Sequence, residues 1–264
     1  MTISNKLMTI NLKPLPSLSD NYIWVIINTI NSTAVIIDPG TATVCVNFLE
    51  QQNIKPVAIL ATHCHWDHVD GIEQLIKKYD IPVYGPATEF IPCLTTPLTG
   101  NDSFSIPEIK LDFQVMDLSG HTAGHIGYLT GNMLFTGDTL FSAGCGRLFS
   151  GTAKQLHAAL QRIKQLPADT TIYCAHEYTL ENLRFAHAVE PDNPEIQRWM
   201  DEVKDLRGKN LPSLPSTLGN EMRYNPFLRT DRVNIMKAVA QYSGQNIDNS
   251  EDCFRYMRMW KDEF

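Results

Sequence analysis

Apolar positions along this chain alternate between two kinds of spacing. Nearly continuous apolar runs at Asn21 to Ile27, Thr33 to Ile37, Val57 to Ala61, Ile81 to Tyr84, Asn132 to Thr136 and Thr171 to Ala175 predict buried strands, and the imperfect alternation of Leu111 to Leu118 predicts another. Helical spacing appears between them. Cys45, Phe48 and Leu49 form a stripe within Val44 to Gln52, and Ile72, Leu75, Ile76 and Tyr79 form a second. A third begins at Thr152, with Gln155 as capping-box partner and Leu156, Ala159, Leu160, Ile163 and Leu166 as its apolar face. Asn28 to Ser32 reads as a hairpin loop, and Asp38-Pro39-Gly40 as a strand-closing turn. The stretch from Gly85 to Ile109 is rich in proline and threonine and predicts mostly loop, without chemistry. Strands interleaved with helices imply a layered α/β architecture.

From about Asn182 the texture changes. Asn193-Pro194 marks a helix start running to about Arg207. Pro212, Pro215, Gly219 and Pro226 then interrupt the chain, and helices are expected over Asp231 to Tyr242 and Asp252 to Lys261. The pattern predicts a catalytic domain over residues 1–182 and a helical domain over 183–264.

The densest chemistry lies in Thr62-His63-Cys64-His65-Trp66-Asp67-His68, between a buried strand and a helix expected to start at Asp70 (N-cap) with Glu73 at N3. In extended chain His63 and His65 point to one side, so both can reach one metal ion. Asp67 and His68 can reach a second point as the chain turns. Four candidate ligands exceed the three protein ligands of one tetrahedral catalytic site, which implies half of a two-metal site. Cys64 alternates away from the ligands. Elsewhere in the chain, Asp38, His121, Asp138 and His176 each stand at or just past a strand's carboxyl end, where open α/β sheets gather their ligands. His125 reads as a buried histidine bonded to backbone, His157 as solvated off its helix's stripe, and His187 as lacking any partner pattern.

Composition narrows the class. With 43% hydrophobic and 19% charged residues, the 264-residue chain can bury a sizeable core. A formal net charge of −7 argues against nucleic acid or an anionic membrane as partner. No apolar run reaches membrane-spanning length. Met1 to Lys13 lacks the apolar core of a signal peptide, and Met8 is an alternative start. The six cysteines form no Cys-x-x-Cys pair, as expected of reduced thiols in a cytoplasmic protein.

His63-x-His65-x-Asp67-His68 resembles the signature of the metallo-β-lactamase superfamily. Pro215-Ser216-Thr217-Leu218 and Tyr224-Asn225-Pro226-Phe227 extend the likeness to the tail of glyoxalase II, the hydroxyacylglutathione hydrolases, so that it covers nearly the whole chain from Asn21. The resemblance implies a four-layer αβ/βα sandwich with a C-terminal helical domain. It implies two divalent cations, zinc first with iron or manganese as alternatives. One is held by His63, His65 and His121, the other by Asp67, His68 and His176, with Asp138 bridging both and Asp38 in support. Two cations sharing one water lower its pKa from 15.7 toward about 7, so that hydroxide can attack an acyl carbon while Asp67 holds its proton. Arg147, Tyr178, Arg258 and Lys261 match glutathione-contacting positions. Arg147 stands where the family has lysine, and Phe149 where a tyrosine often binds glutathione.

These likenesses imply a monomeric thioester hydrolase that converts S-D-lactoylglutathione to glutathione and D-lactate. A thiol of pKa about 8.5 leaves readily as thiolate, which suits a site without an obvious general acid. Other readings are a lactonase or another acyl hydrolase of the superfamily, or a non-hydrolytic metal or redox protein of the same fold. The diiron flavoproteins typically carry glutamate where this chain has His65, together with a flavin domain that this sequence does not show.

Overall fold

The structure is a computed structural model that describes residues 9–264. Met8, the alternative start, lies outside the described residues. The chain divides into two compact units. The first comprises the residues up to Asp117 together with Gly124–Gly137, and the second Leu118–Ala123 together with Asp138–Phe264.

The first unit contains a six-stranded sheet in the order β1 (Ile10–Ser17), β2 (Asn21–Asn28), β3 (Thr33–Ile37), β4 (Lys55–Leu60), β5 (Val83–Pro86), β6 (Thr96–Leu98). The first three strands pair antiparallel, with Trp24 opposite Ile37, and the remainder pair parallel. Every residue of β2 and β3 is buried, which explains their unbroken apolar runs. Helices α1 (Ala42–Gln52) and α3 (Ile72–Tyr79) set Cys45, Leu49, Ile72 and Leu75 into a core with Ile23, Val25, Ile36 and Ile59. Strands β7 (Ser103–Ile106), β8 (Leu111–Asp117), β9 (Ile126–Thr130) and β10 (Met133–Gly137) form an antiparallel meander.

The second unit holds the two-stranded hairpin of β11 (Leu140–Phe141) and β12 (Gly144–Cys145), and the antiparallel pair β13 (Thr171–Cys174) and β14 (Ser216–Thr217). Its helices are α4 (Ala153–Ile163), α5 (Thr179–Val189), α6 (Pro194–Gly208), α7 (Leu218–Tyr224), α8 (Val233–Ser243) and α9 (Ser250–Glu263). The Thr152–Gln155 capping box and the Asn193 cap with Pro194 at N1 are both present. Leu183 and Ala186 of α5 pack with Ile196, Met200 and Val203 of α6 and with Tyr224. No helix among the described residues is long and apolar enough to cross a membrane.

Several expectations are corrected. Asp70 does not N-cap a helix but is the C-cap of one. A short helix, α2 (Trp66–Val69), begins inside the ligand loop, and Gly71 is the N-cap of α3. The cause is steric. The Gly71 N–H donates to the Pro39 carbonyl at 2.9 Å, and a Cβ there would stand 2.4 Å from that oxygen. The stretch 85–109 contributes β6 and β7, which are too short to show a period. Among the broken prolines of the tail lie α7 and a 3-10 turn at Pro226–Leu228. His157 is not solvated: it is half-buried, bonded to Ser250 Oγ at 2.8 Å, and its ring meets Phe254.

Candidate metal centre

In the first unit the donors come from one loop. The chain leaves β4 extended, and His63 and His65 fall on one side, with His63 Nε2 3.0 Å from His65 Nδ1. The helical turn of α2 then brings round Asp67 and His68. His68 Nε2 lies 3.5 Å from Asp67 Oδ2, and the His63 and His68 rings are 4.1 Å apart. His63 and His68 are fully buried. Three imidazoles and a carboxylate turned toward one another in this way form a donor set suited to a cation.

The supporting groups fix which nitrogen is available. Thr62 Oγ1 donates to Asp38 Oδ2 at 2.7 Å, so its oxygen can only accept from His63 Nδ1, 3.1 Å away. That leaves the His63 Nε2 lone pair for a metal. His68 Nδ1 lies 3.1 Å from Asp38 Oδ2, a close contact between the ring and the carboxylate. Asp38 also accepts the Thr62 N–H at 2.7 Å and adopts a left-handed φ of 52°. Of the two readings of Asp38, support for the ligands is therefore the better one. Gly40 follows it, and a Cβ there would meet the Asp67 carbonyl oxygen at 1.9 Å, so only glycine lets the turn approach the loop.

Two contributors in this unit escaped sequence reasoning. Asn21 Nδ2 donates to Asp67 Oδ2 at 3.0 Å. Glu89, in the stretch read as featureless, accepts the N–H of Cys64 and of Gly124, each at 2.8 Å. The Cys64 side chain packs against the apolar core, and burial, with the nearby Glu89 charge, pushes its thiol up to about 11. His125 is buried and stacks on His63 at 4.7 Å.

In the second unit the donors come from three distant segments. Asp138 Oδ2 lies 3.6 Å from His121 Nε2 and 3.4 Å from His176 Nε2, and all three residues are buried. His121 Nδ1 donates to the Arg147 carbonyl at 2.8 Å, so the lone pair of this tautomer lies on Nε2. Gly146 permits that approach, since a Cβ there would stand 2.0 Å from the Asp138 carbonyl oxygen. Tyr178 stacks flat on His176 at 4.7 Å, and Phe149, 65% exposed, sets its edge against His121.

The β11–β12 hairpin that follows Asp138 is held by polar side chains of the helical region. Asn225 Nδ2 donates to the Phe141 and Gly144 carbonyls, and Asn182 Nδ2 to that of Ser142. Glu221 Oε2 accepts the Ala143 N–H at 2.8 Å, and burial raises its pKa. Arg258, 2% exposed, donates to the Cys145 carbonyl at 2.9 Å and pairs with Asp262. It is thus no member of a solvated helix face. Arg147 is exposed and lies 3.5 Å from Asp262. Lys261 Nζ sits 5.3 Å from the Phe185 ring centre, and burial followed by the Arg258 charge lowers its pKa.

The fold and these donors define the class, and comparison with known proteins agrees. The metallo-beta-lactamase superfamily model matches residues 18–176. ETHE1 from Myxococcus xanthus is 24% identical with a TM-score of 0.65, covering 94% of this chain and 98% of that one. A protein solved in a di-iron-bound form is 26% identical with a TM-score of 0.57, covering 83% and 100%. Histidine and aspartate donors on this fold suggest a dinuclear metal site. The model of the hydroxyacylglutathione hydrolase C-terminus matches residues 177–264. The hydroxyacylglutathione hydrolase of Nitrosomonas eutropha is 48% identical over 255 residues, covering 97% of this chain and 99% of the relative. The chain belongs to the hydroxyacylglutathione hydrolase family.

Proposed function

We propose that this chain is a thioester hydrolase that cleaves S-D-lactoylglutathione to glutathione and D-lactate, the second step of methylglyoxal detoxification. One observation carries the reading: His63, His68 and His121 are buried imidazoles whose outer nitrogens face oxygen atoms, beside the carboxylates of Asp67 and Asp138. In this reading His63, His65 and His121 would hold one divalent cation, Asp67, His68 and His176 would hold the other, and Asp138 would serve both. The place of Asp138 Oδ2 near both His121 Nε2 and His176 Nε2 supports that shared role. Nitrogen and carboxylate ligands without thiolates suit zinc first, then iron or manganese.

When bound, such a pair supplies a nucleophile from water at neutral pH and polarises the acyl carbonyl. The chain's own residues place and steer the substrate. Asp67, oriented by Asn21, holds the proton of the attacking water. Arg147, Tyr178 and Lys261 receive the glutathione moiety, and Arg258 joins them by fixing the carbonyls that precede Arg147. Glutathione carries two carboxylates and one ammonium, so a set of cations matches it. On this account residues 1–182 carry the reaction, and 183–264 join Arg147 and Tyr178 in selecting the thiol.

The test is a hydrolysis assay on S-D-lactoylglutathione beside a lactone, a cephalosporin and a phosphodiester, with metal analysis of the same sample. The thioester should be turned over far faster than the other three. A preference for the lactone would place the chain among the other acyl hydrolases.

A further inference from the structure

We propose that Glu89 is a positioning residue of the metal centre, holding the peptide between His63 and His65 at a fixed distance from the turn that ends at Gly124. The inference rests on the proposed metal site but not on the choice of substrate. Each Glu89 oxygen has its own partner: Oε2 accepts the Cys64 N–H and Oε1 the Gly124 N–H, both at 2.8 Å. Charge-assisted bonds of this length are the strong kind, and two of them on one carboxylate fix its orientation. With both oxygens so engaged, Glu89 acts on the backbone and not as a ligand.

The two amides have different consequences. The Cys64 peptide sets the directions in which His63 and His65 leave the chain. Its neighbour Thr62 is tied on the other side, through its N–H to Asp38 and through its carbonyl to the Ile126 N–H at 3.0 Å. His63 is thereby bracketed, and without Glu89 the far side of the bracket is missing. Gly124 lies three residues after His121 in the chain. A Cβ at Gly124 would stand 2.3 Å from Thr88 Oγ1 and 2.7 Å from Glu89 Cγ, so glycine is what admits the carboxylate.

Packing anchors the segment at its ends, where Pro86 and Ile91 are buried, but not at the turn itself: Ala87 and Thr88 are exposed and Phe90 is 84% exposed. The carboxylate ties this turn to the ligand loop through the Cys64 N–H.

The experiment compares wild type with Glu89→Gln and Glu89→Ala by zinc competition against a chromophoric chelator, thermal melting, and kcat and KM on the thioester. Glu89→Gln keeps the shape but sets an amide NH2 against a backbone N–H. It should melt close to wild type, bind one of its two zinc ions about tenfold more weakly, and lose kcat with KM unchanged. Glu89→Ala should weaken zinc binding further. Wild-type zinc affinity in both variants overturns the proposal. So does misfolding of both, which would make the role one of folding alone. If only Glu89→Ala fails to fold, Glu89→Gln decides. Zinc affinity is read without substrate, so a wild type that ignores the thioester sinks the proposed activity and leaves this test standing.

Discussion

The two units supply their donors by opposite means. In the first, four candidate ligands lie within six residues, and short polar groups hold them: Asp38, Thr62, Asn21 and Glu89. In the second, His121, Asp138 and His176 are scattered along the chain. There aromatic rings and a hairpin anchored by buried Asn182, Glu221, Asn225 and Arg258 do the holding. In the first, local spacing turns the side chains to one place and a few distant polar groups then hold them there. The second depends on tertiary structure, because side chains of the helical region hold the hairpin that follows Asp138.

Variants can break this contrast. The largest effect is expected at Asp138, the residue proposed to serve both cations. Asp138→Ala should lower kcat on the order of 10³-fold, about 4 kcal/mol of barrier, while circular dichroism shows a folded chain. Full activity would remove the bridge. Next comes Asp38→Ala, which deletes the support of His68 and Thr62. It should weaken metal affinity by about 10- to 100-fold, read by chelator competition, with every ligand still in place.

The helical side should separate into two behaviours. Arg258→Ala removes a buried donor from the Cys145 carbonyl and from Asp262, so it should lower the melting temperature as well as raise KM. Lys261→Ala should raise KM for the glutathione thioester, roughly tenfold, with little change in melting. Equal melting losses in both would show that Lys261 is structural too.

The smallest effect is a pH dependence far from the ligands. Burial holds the His157 pKa below its ordinary value. The unfolded chain therefore takes up the proton more readily, and this contribution to stability, complete above an unfolded pKa of about 6.5, is lost as the pH falls through that value. The melting temperature of His157→Gln should decline less between pH 7 and pH 5 than that of wild type.

The first unit was largely legible in the sequence. Strands buried on both faces wrote themselves as apolar runs, and His63-x-His65-x-Asp67-His68 announced its chemistry by spacing. Less legible was anything whose meaning depends on a distant partner. Glu89 sits in a segment without periodicity, and nothing local marks its carboxylate as bound for two amides. Gly71 replaced Asp70 as a cap because of a carbonyl more than thirty residues away in the chain. His157 faces α9, whose position its own helix stripe could not reveal. Arg258 and Lys261 look alike on a helix, three residues apart, yet only Arg258 is buried against backbone carbonyls.

The most direct test counts metal ions against activity. Apoprotein titrated with zinc should take up two ions per chain, with thioester hydrolysis complete only when both are bound. A chain that saturates at one ion and is then fully active would contradict the account.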